Sequence, residues 1–249
     1  MADSIKTPLI VRVIARGGKF LGDDIGGALI TVRDAQTGEL LAHGPTQGAS
    51  GPTSVMKAPL LRADPIPTLD TTVTPPAEAC HFRVDLDLER PRLLEVSAYG
   101  PLGAPQGAHT VVTSHWIYPG ASQAIGDGLT IEIPGLLVQI QWPPTHWLPK
   151  APPPGINIQA NVTMMCGCPI TPDNFWPPDQ FEVKGIVRGK GNVMASFDLA
   201  FDDRIPYPSQ FVYSLTTPPA GIYELTVYAY QKTLGNTGVN TSTFIIPSS

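Results

Sequence analysis

Alternation of apolar and polar residues, interrupted by proline and glycine, is the feature that most restricts the fold of this chain. Runs such as RLLEVSAYG (92–100) and GIYELTVYAYQ (221–231) carry apolar side chains at every second position. That spacing is the side-chain period of a half-buried β-strand. No window of a dozen residues carries an apolar stripe at helical spacing. The sequence therefore predicts an all-β protein.

Candidate strands occur in both halves of the chain, and turn-forming residues bound them. In the first half they cover residues 9–15, 28–34, 39–43, 80–88, 92–100 and 109–118. In the second half they cover residues 156–165, 180–187, 192–201, 209–215, 221–231 and 240–246. The RGKGN loop after residue 187 contains two glycines, which we expect to supply the positive φ angles of a hairpin connection.

The run LTIEIPGLLVQIQW (129–142) contains the predicted domain boundary, at Pro134-Gly135. Because proline cannot donate a ladder hydrogen bond, one strand should end there and the next should begin. We therefore predict two consecutive antiparallel β-sandwich domains, residues 1–134 and 135–249. The seven strands expected in the second of these match the number in such a sandwich. Residues 45–79 have no assignment, and the proline-rich residues 142–155 are predicted to form a loop or a sheet-crossing segment.

Composition limits the classes of partner that this chain can bind. Its 28 prolines and 24 glycines follow no repeat period, which indicates frequent turns rather than a fibrous protein. Its 21 acidic and 16 basic residues are scattered and give a net charge of −5. Without a cluster of lysine and arginine to follow a phosphate backbone, nucleic acid is not an expected partner. No apolar run reaches the ~18 residues of a membrane-spanning helix.

The predicted compartment rests on the start of the chain and on its cysteines. The opening MADSIKTPLIVRVIARGG lacks the pattern of a signal peptide. Three cysteines are too few for a disulfide framework. A cytoplasmic location is therefore expected, while export with a partner and earlier removal of a leader are alternatives that the same sequence allows.

The run GGALITVRDAQTGELLAHGPTQGASG (26–51) contains a strand, a D-x-x-T-G-x-x-L turn from Asp34 to Leu41, a second strand and a glycine-rich stretch. It resembles the opening of the transthyretin-like, or carboxypeptidase-regulatory-like, β-sandwich family. The run RLLEVSAYGPLG (92–103) resembles a later strand of that fold. The resemblance implies a noncatalytic scaffold in residues 1–134.

The second half resembles bacterial immunoglobulin-like domains. VQIQWPP (138–144) is similar to the first strand of that family, INIQANV (156–162) to the second, and GIYELTVYAYQKTLGNTG (221–238) to the penultimate strand with its turn. The resemblance implies that Tyr223 forms a tyrosine corner. Leu225 stands where antibody domains have a cysteine, so the inter-sheet disulfide of those domains is absent. This family too is mostly noncatalytic.

The stretch MMCGCPI (164–170) allows three interpretations. Free cysteine behaves as a small apolar residue, so a sulfur-rich end of a core strand is the first. A soft-metal site for Cu(I) or zinc, with Met164, Cys166 and Cys168 as ligands, is the second. A Cys166–Cys168 disulfide, shortened by a turn at Gly167, is the third. Strict alternation would put these residues on one strand face: Ile156, Ile158, Ala160, Val162, Met164, Cys166 and Cys168.

Other candidate residues are isolated in the sequence. Cys80 shares its predicted strand face with apolar residues and is expected in the core. The five histidines form no ligand pair at i, i+2 or i, i+4 spacing. His115 and His146 each precede a tryptophan, and Trp116 and Trp147 are candidates to line a carbohydrate or aromatic-ligand surface.

The segment that follows the cysteines, FWPP (175–178), joins two aromatic residues to two prolines. Phe175, Trp176 and Trp147 are the candidate partner-binding residues, because aromatic side chains in loops often anchor protein interfaces. Capping the end of the sandwich is the alternative role for Phe175 and Trp176.

Catalytic and nucleotide-binding motifs are absent from the sequence. It contains no G-x-S-x-G, H-E-x-x-H, phosphate-binding loop, dinucleotide fingerprint or calcium loop. We therefore predict a protein that is not an enzyme and has no cofactor, unless it binds copper or zinc. The predicted function is a noncatalytic binding or assembly subunit covered by a protein partner or by copies of itself. The alternatives are a soft-metal protein and an accessory subunit that positions or shields a catalytic partner.

Overall fold

The protein is all-β in a computed structural model that describes residues 4–57 and 65–248. The helices of the described residues are short 3₁₀ turns at Asp23–Ile25, Thr53–Lys57 and Pro178–Gln180. None of these is long or apolar enough to cross a membrane. The fold class predicted from alternation is therefore confirmed.

The chain divides into two compact units. The first comprises Met1–Pro134 together with Met165–Gly167, and the second comprises Gly135–Met164 and Cys168–Ser249. Each unit is a β-sandwich in which two larger sheets enclose an apolar interior.

The first unit contains a three-stranded sheet in the order β6-β1-β9 and a four-stranded sheet in the order β3-β2-β7-β8. Its strands are β1 (Ile5–Ala15), β2 (Leu29–Asp34), β3 (Leu40–Pro45), β4 (Leu69–Asp70), β5 (Ala77–Glu78), β6 (Phe82–Leu88), β7 (Arg92–Gly100), β8 (His109–Ile117) and β9 (Leu129–Ile133). Neighbouring strands in these sheets run antiparallel except β1 and β9, which are parallel. Alternate residues of β7, Leu94, Val96 and Ala98, are fully buried, as the period-two pattern requires.

The turn between β2 and β3 is organised by the buried Asp34. Its Oδ1 accepts hydrogen bonds from the backbone N–H groups of Gln36, at 2.8 Å, and Thr37, at 2.9 Å. Gly38 has a φ of 76°. The hydrogen bond from the Thr37 backbone is the main reason that the pKa of Asp34 is lowered, and Arg92 adds to the effect. The predicted D-x-x-T-G turn is thus a carboxylate-capped loop.

Residues 45–79, which the sequence left unassigned, contribute to a separate small core. Part of this segment, residues 58–64, lies outside the described residues. The two-residue strands β4 and β5 pair with each other. The side chains of the small core are fully or nearly fully buried. These are Phe20, Val55, Ile66, Ala79 and Cys80. A spaced set of single apolar residues has no period, so pattern reasoning could not detect this core.

The second unit contains two four-stranded antiparallel sheets, in the orders β10-β11-β15-β14 and β13-β12-β16-β17. Its strands are β10 (Leu136–Trp142), β11 (Gly155–Met164), β12 (Phe181–Gly189), β13 (Asn192–Asp198), β14 (Ala200–Phe201), β15 (Gln210–Thr216), β16 (Gly221–Gln231) and β17 (Thr237–Ile246). The hydroxyl of Tyr223 donates to the carbonyl of Pro219 at 2.7 Å, which is the hydrogen bond of a tyrosine corner.

One local prediction in this unit is wrong, and another, the hairpin at the RGKGN loop, is confirmed with one of its two expected glycines. The predicted strand over residues 192–201 is divided at the buried Leu199, because β13 and β14 belong to different sheets. In the hairpin between β12 and β13 the positive φ angles belong to Lys190, at 52°, and Gly191, at 80°. Gly189 instead lies where a Cβ atom would come within 2.7 Å of the Tyr223 ring. The position of Gly189 therefore requires a small residue because of the neighbouring ring, and not because of its φ angle.

Candidate interaction surface

The sulfur-rich segment leaves β11 in a tight reversal. The strand ends at Met164, whose N–H donates to the carbonyl of Cys168 at 3.0 Å. Thr163 forms an antiparallel bridge with Pro169, and Gly167 has a φ of 75°. The expected continuation of the strand face through Cys166 and Cys168 is therefore wrong, because the left-handed conformation of Gly167 turns the chain back.

Because of this reversal, the three proposed soft-metal ligands do not share one strand face: Met164 lies on β11, whereas Cys166 and Cys168 follow its end. Met164 and Cys166 are buried and Cys168 is half-buried. The Cys166 Sγ lies 2.9 Å from where a Cβ atom on Gly18 would stand, so this thiol packs tightly within the first unit. The described residues hold no cluster of three or more His, Cys, Asp or Glu side chains suited to a metal ion. Soft-metal binding by these residues stays a prediction.

Cys80 lies in the small core of the first unit, as predicted. It is fully buried, and its Sγ donates to the carbonyl of Leu21 at 2.9 Å. Desolvation by burial, reinforced by the negative charge of Asp23, raises the pKa of the thiol to about 12. Cys80 is therefore protonated at neutral pH and behaves as an apolar packing residue.

The candidate aromatic residues have different surroundings. Phe175 is exposed, whereas Trp176, with its ring centroid 5.9 Å from that of Phe175, is buried. Trp147 is half-buried and packs edge-on against the exposed Trp142, with 5.4 Å between ring centroids. The carbonyl of Trp147 accepts the N–H of Ile245 at 2.8 Å. Trp147 is thus tied to β17 and supports the ring of Trp142.

His115 and His146, which each precede a tryptophan in the sequence, have different surroundings in the structure. His115 and Trp116 are consecutive on β8 and point to opposite faces of the sheet. The backbone of His146 has a φ of 61°, and its ring Nδ1 lies 2.9 Å from the hydroxyl oxygen of Thr243. His146 therefore helps to fasten the loop that precedes Trp147.

The outer face of the sheet β3-β2-β7-β8 is the most apolar exposed strand surface of the first unit. Trp116 and Val112, both on β8, are 54% and 55% exposed. Tyr99 on β7 and Leu29 on β2 are cross-strand partners and are 37% and 38% exposed. The half-buried Leu93 pairs with Trp116. We call these five residues the apolar face; they were not grouped by sequence reasoning, because grouping them requires the strand order.

Charge is sparse and balanced on this sheet surface. Arg33 on β2 and Glu95 on β7 are exposed and are Cα partners in the ladder. The Arg33 Nη1 donates to the carbonyl of Gly38 at 3.2 Å. One cation beside one anion leaves the surface without a net charge that would attract a polyanion or a polycation.

Comparisons with known proteins leave the function open. No family model matches the chain, and no curated protein matches it. A crystal structure of an engineered protein, Northeast Structural Genomics Consortium Target OR128, is 16% identical over 53% of this chain and 24% of its own, with a TM-score of 0.33. The fibronectin(III)-like modules of Clostridium thermocellum CbhA are 10% identical over 97% of this chain and 94% of their own, with a TM-score of 0.30.

Both structures are thus distant from this chain, and the match to the engineered protein spans about a quarter of that protein's length. Neither is described as transthyretin-like, and that resemblance stays a prediction.

Proposed function

We propose that the protein is a noncatalytic assembly subunit that associates through the apolar face of its first unit. The observation that carries the proposal is the exposure of Val112 and Trp116 on β8. Trp116 is the cross-strand partner of Leu93, and Val112, the partner of Ser97, lies diagonal to Tyr99 on the same face. Several exposed apolar side chains grouped on one face of a folded sheet, here with serine and threonine between them, commonly mark a protein interface. Covering each large apolar side chain contributes on the order of 1.5–3 kcal/mol before the costs of association.

A second copy of the chain is the occupant that we propose for the apolar face. A two-fold axis parallel to the strands, between β2 and β7, would bring Arg33 of each copy opposite Glu95 of the other. The same axis would bring Leu29 opposite Tyr99. The surface is therefore complementary to itself in charge at Arg33 and Glu95 and in apolar character at Leu29 and Tyr99, as an isologous interface requires, while Val112 would face His43 of the other copy.

Sedimentation velocity at increasing protein concentration tests this proposal. We expect the wild-type chain to shift from monomer to dimer, and Val112→Glu to remain monomeric at concentrations at which the wild type is dimeric. Val239→Glu is the matched control, because Val239 is 53% exposed and lies on β17, an edge strand of the second unit. The control should sediment as the wild type does.

The outcomes separate the proposal from its alternatives. A wild-type chain that stays monomeric throughout the range contradicts self-assembly. Equal loss of the dimer in Val112→Glu and Val239→Glu contradicts the assignment to the apolar face. A stable complex with a catalytic protein, lost in Val112→Glu while the isolated chain is monomeric, would replace the second copy by that protein and favour an accessory role.

A further inference from the structure

The outer face of the sheet β10-β11-β15-β14 has an unusual chemistry. None of its four strands contains Asp, Glu, Lys, Arg or His. Its outward positions are instead rich in neutral amides, which differ from the residues of the apolar face in carrying both hydrogen-bond donors and acceptors. We call the following six residues the amide face: Gln139, Gln141, Asn157, Gln159, Asn161 and Gln210.

Hydrogen bonds between neighbouring side chains hold these amides in place. The Nε2 of Gln159 donates to the Oε1 atoms of Gln141 and Gln210, in both cases at 2.9 Å. The Nδ2 of Asn161 donates to the carbonyl of Pro208 at 3.0 Å. These side chains therefore have fixed orientations before any ligand arrives, which lowers the entropy cost of binding.

A β-bulge brings an aromatic ring to the rim of the amide face. Ile140 pairs with Ala160 and Trp142 pairs with Gln159, so Gln141 is an extra residue in the ladder. Two successive residues then oppose one partner, which redirects their side chains. Trp142 is 39% exposed and is supported from the side by Trp147. The site thus joins a flat apolar ring to a row of oriented amides.

We propose that the amide face and Trp142 bind a neutral saccharide chain. Sugar hydroxyl groups both donate and accept, and an amide group carries both functions. Gln210 is buried and holds Gln159 in place, so the exposed amides Gln139, Gln141 and Asn157 are the ones that a sugar would contact. The C–H surfaces of a sugar ring are apolar and can stack on an exposed indole. From Asn157 to Asn161 the surface extends about 14 Å along β11, long enough for a short oligosaccharide. Without ionised groups, the face offers no ion pair to an anionic polymer.

Affinity electrophoresis in native gels that contain a polysaccharide tests this site in the intact chain. The neutral probes are hydroxyethylcellulose, xylan, galactomannan and soluble starch, and polygalacturonate is the anionic comparison. We expect retardation by at least one neutral probe and none by polygalacturonate. Trp142→Ala should weaken the retardation at least about tenfold, as expected for an aromatic anchor.

Tyr230→Ala is the matched control, because it removes an exposed aromatic ring from β16, in the other sheet of the second unit and outside both the amide face and the apolar face. It should be retarded as strongly as the wild type. Asn157→Ala guards against misfolding of Trp142→Ala, since Asn157 is an exposed side chain whose loss leaves the apolar interior intact. It should also weaken retardation.

Three results would overturn the saccharide site. The first is no retardation of the wild type by any neutral probe. The second is retardation that survives both Trp142→Ala and Asn157→Ala. The third is binding of extended peptides, but of no neutral probe, in tryptophan-fluorescence titrations whose signal is lost in Trp142→Ala. Because this site lies in the second unit, these results are distinguishable from a failure of self-assembly through the apolar face.

Discussion

The apolar face of the first unit and the amide face of the second are both outer surfaces of four-stranded sheets, yet they differ in what covering them would do. Burial of Val112 and Trp116 removes apolar surface from water and is favourable with almost any complementary partner. Burial of Gln141 and Gln159 is favourable only if a ligand replaces their hydrogen bonds to water. The same architecture can therefore serve non-directional assembly in one unit and directional recognition in the other.

A third sheet surface provides the reference for this comparison. On the outer face of β13-β12-β16-β17, Lys184 pairs with Asp198 at 3.2 Å and Arg188 pairs with Glu224 at 3.6 Å. Exposed ion pairs of this kind stay hydrated and contribute little to stability. The same sheet also exposes Ile222 and Val239, so it mixes ion pairs with apolar side chains, as solvent-facing sheets usually do. The amide face lacks the ion pairs of this surface.

The largest expected effect is the difference in unfolding free energy between substitutions on the two sides of β7. Leu94 is fully buried beneath the sheet, and its neighbour Leu93 belongs to the apolar face. We expect Leu94→Ala to lower the free energy of unfolding by about 2–5 kcal/mol, the usual cost of a core cavity. Leu93→Ala should leave the monomer nearly unchanged and weaken the dimer. Urea unfolding measures the first effect, and sedimentation measures the second.

If Leu93→Ala destabilised the monomer as strongly as Leu94→Ala, the outer side of β7 would be part of a core rather than an interface. That result would remove the basis for treating the apolar face as a surface.

A smaller effect is expected within the amide face. Gln210 is buried and accepts from the Nε2 of Gln159, so Gln210→Ala should lower the free energy of unfolding by about 1–2 kcal/mol through a lost internal hydrogen bond. Gln141 accepts from the same Nε2 but is exposed, and Gln141→Ala should cost less than ~0.5 kcal/mol. Urea titrations of both variants check the difference. Equal costs would contradict the view that Gln210 anchors the row.

The charge pair of the apolar face should have a smaller effect on association. Arg33→Glu brings like charges together across the proposed axis and should weaken the dimer by a few fold. Adding Glu95→Arg in the same chain restores opposite charges and should recover most of the wild-type affinity. Failure of the double variant to recover, with both chains folded by circular dichroism, would argue against the two-fold arrangement.

The smallest effect concerns acid stability of the turn that leads into β3. The pKa of Asp34 is lowered from its ordinary value of 3.8, so the stabilisation it provides is present above that value and is lost as the pH falls through the lower, folded-state pKa. Asp34→Asn should therefore flatten the acid limb of the stability curve while leaving the dimer intact at neutral pH. Thermal melts at a series of acidic pH values measure this. An unchanged acid limb would contradict the assignment of this pH-dependent stabilisation to Asp34.

Alternation predicted most strands of both units, because one buried face leaves a period of two in the sequence whatever the strand order. It could not predict which outer face is apolar and which is amide-rich, since that depends on which strands are neighbours. Trp142 shows the limit clearly. Its side chain joins the amide face only through a bulge of one residue, and no sequence period signals a bulge.

The MMCGC stretch shows a different limit. Apolar residues continue past the end of β11, and alternation alone extends the strand through them. The reversal at Gly167 depends on one backbone conformation and on the bridge from Thr163 to Pro169. A glycine permits such a turn but does not require it.

Hydroxyl-radical footprinting with mass spectrometry, at low and at high protein concentration, tests the contrast between the two faces most directly. It reports the solvent exposure of Trp116 and Trp142 in the same sample. We predict that oxidation of Trp116 falls as the protein concentration rises while oxidation of Trp142 stays constant. A neutral polysaccharide added at low protein concentration should reverse the pattern and protect only Trp142. Equal protection of both tryptophans, or of neither, under the two conditions would contradict the account.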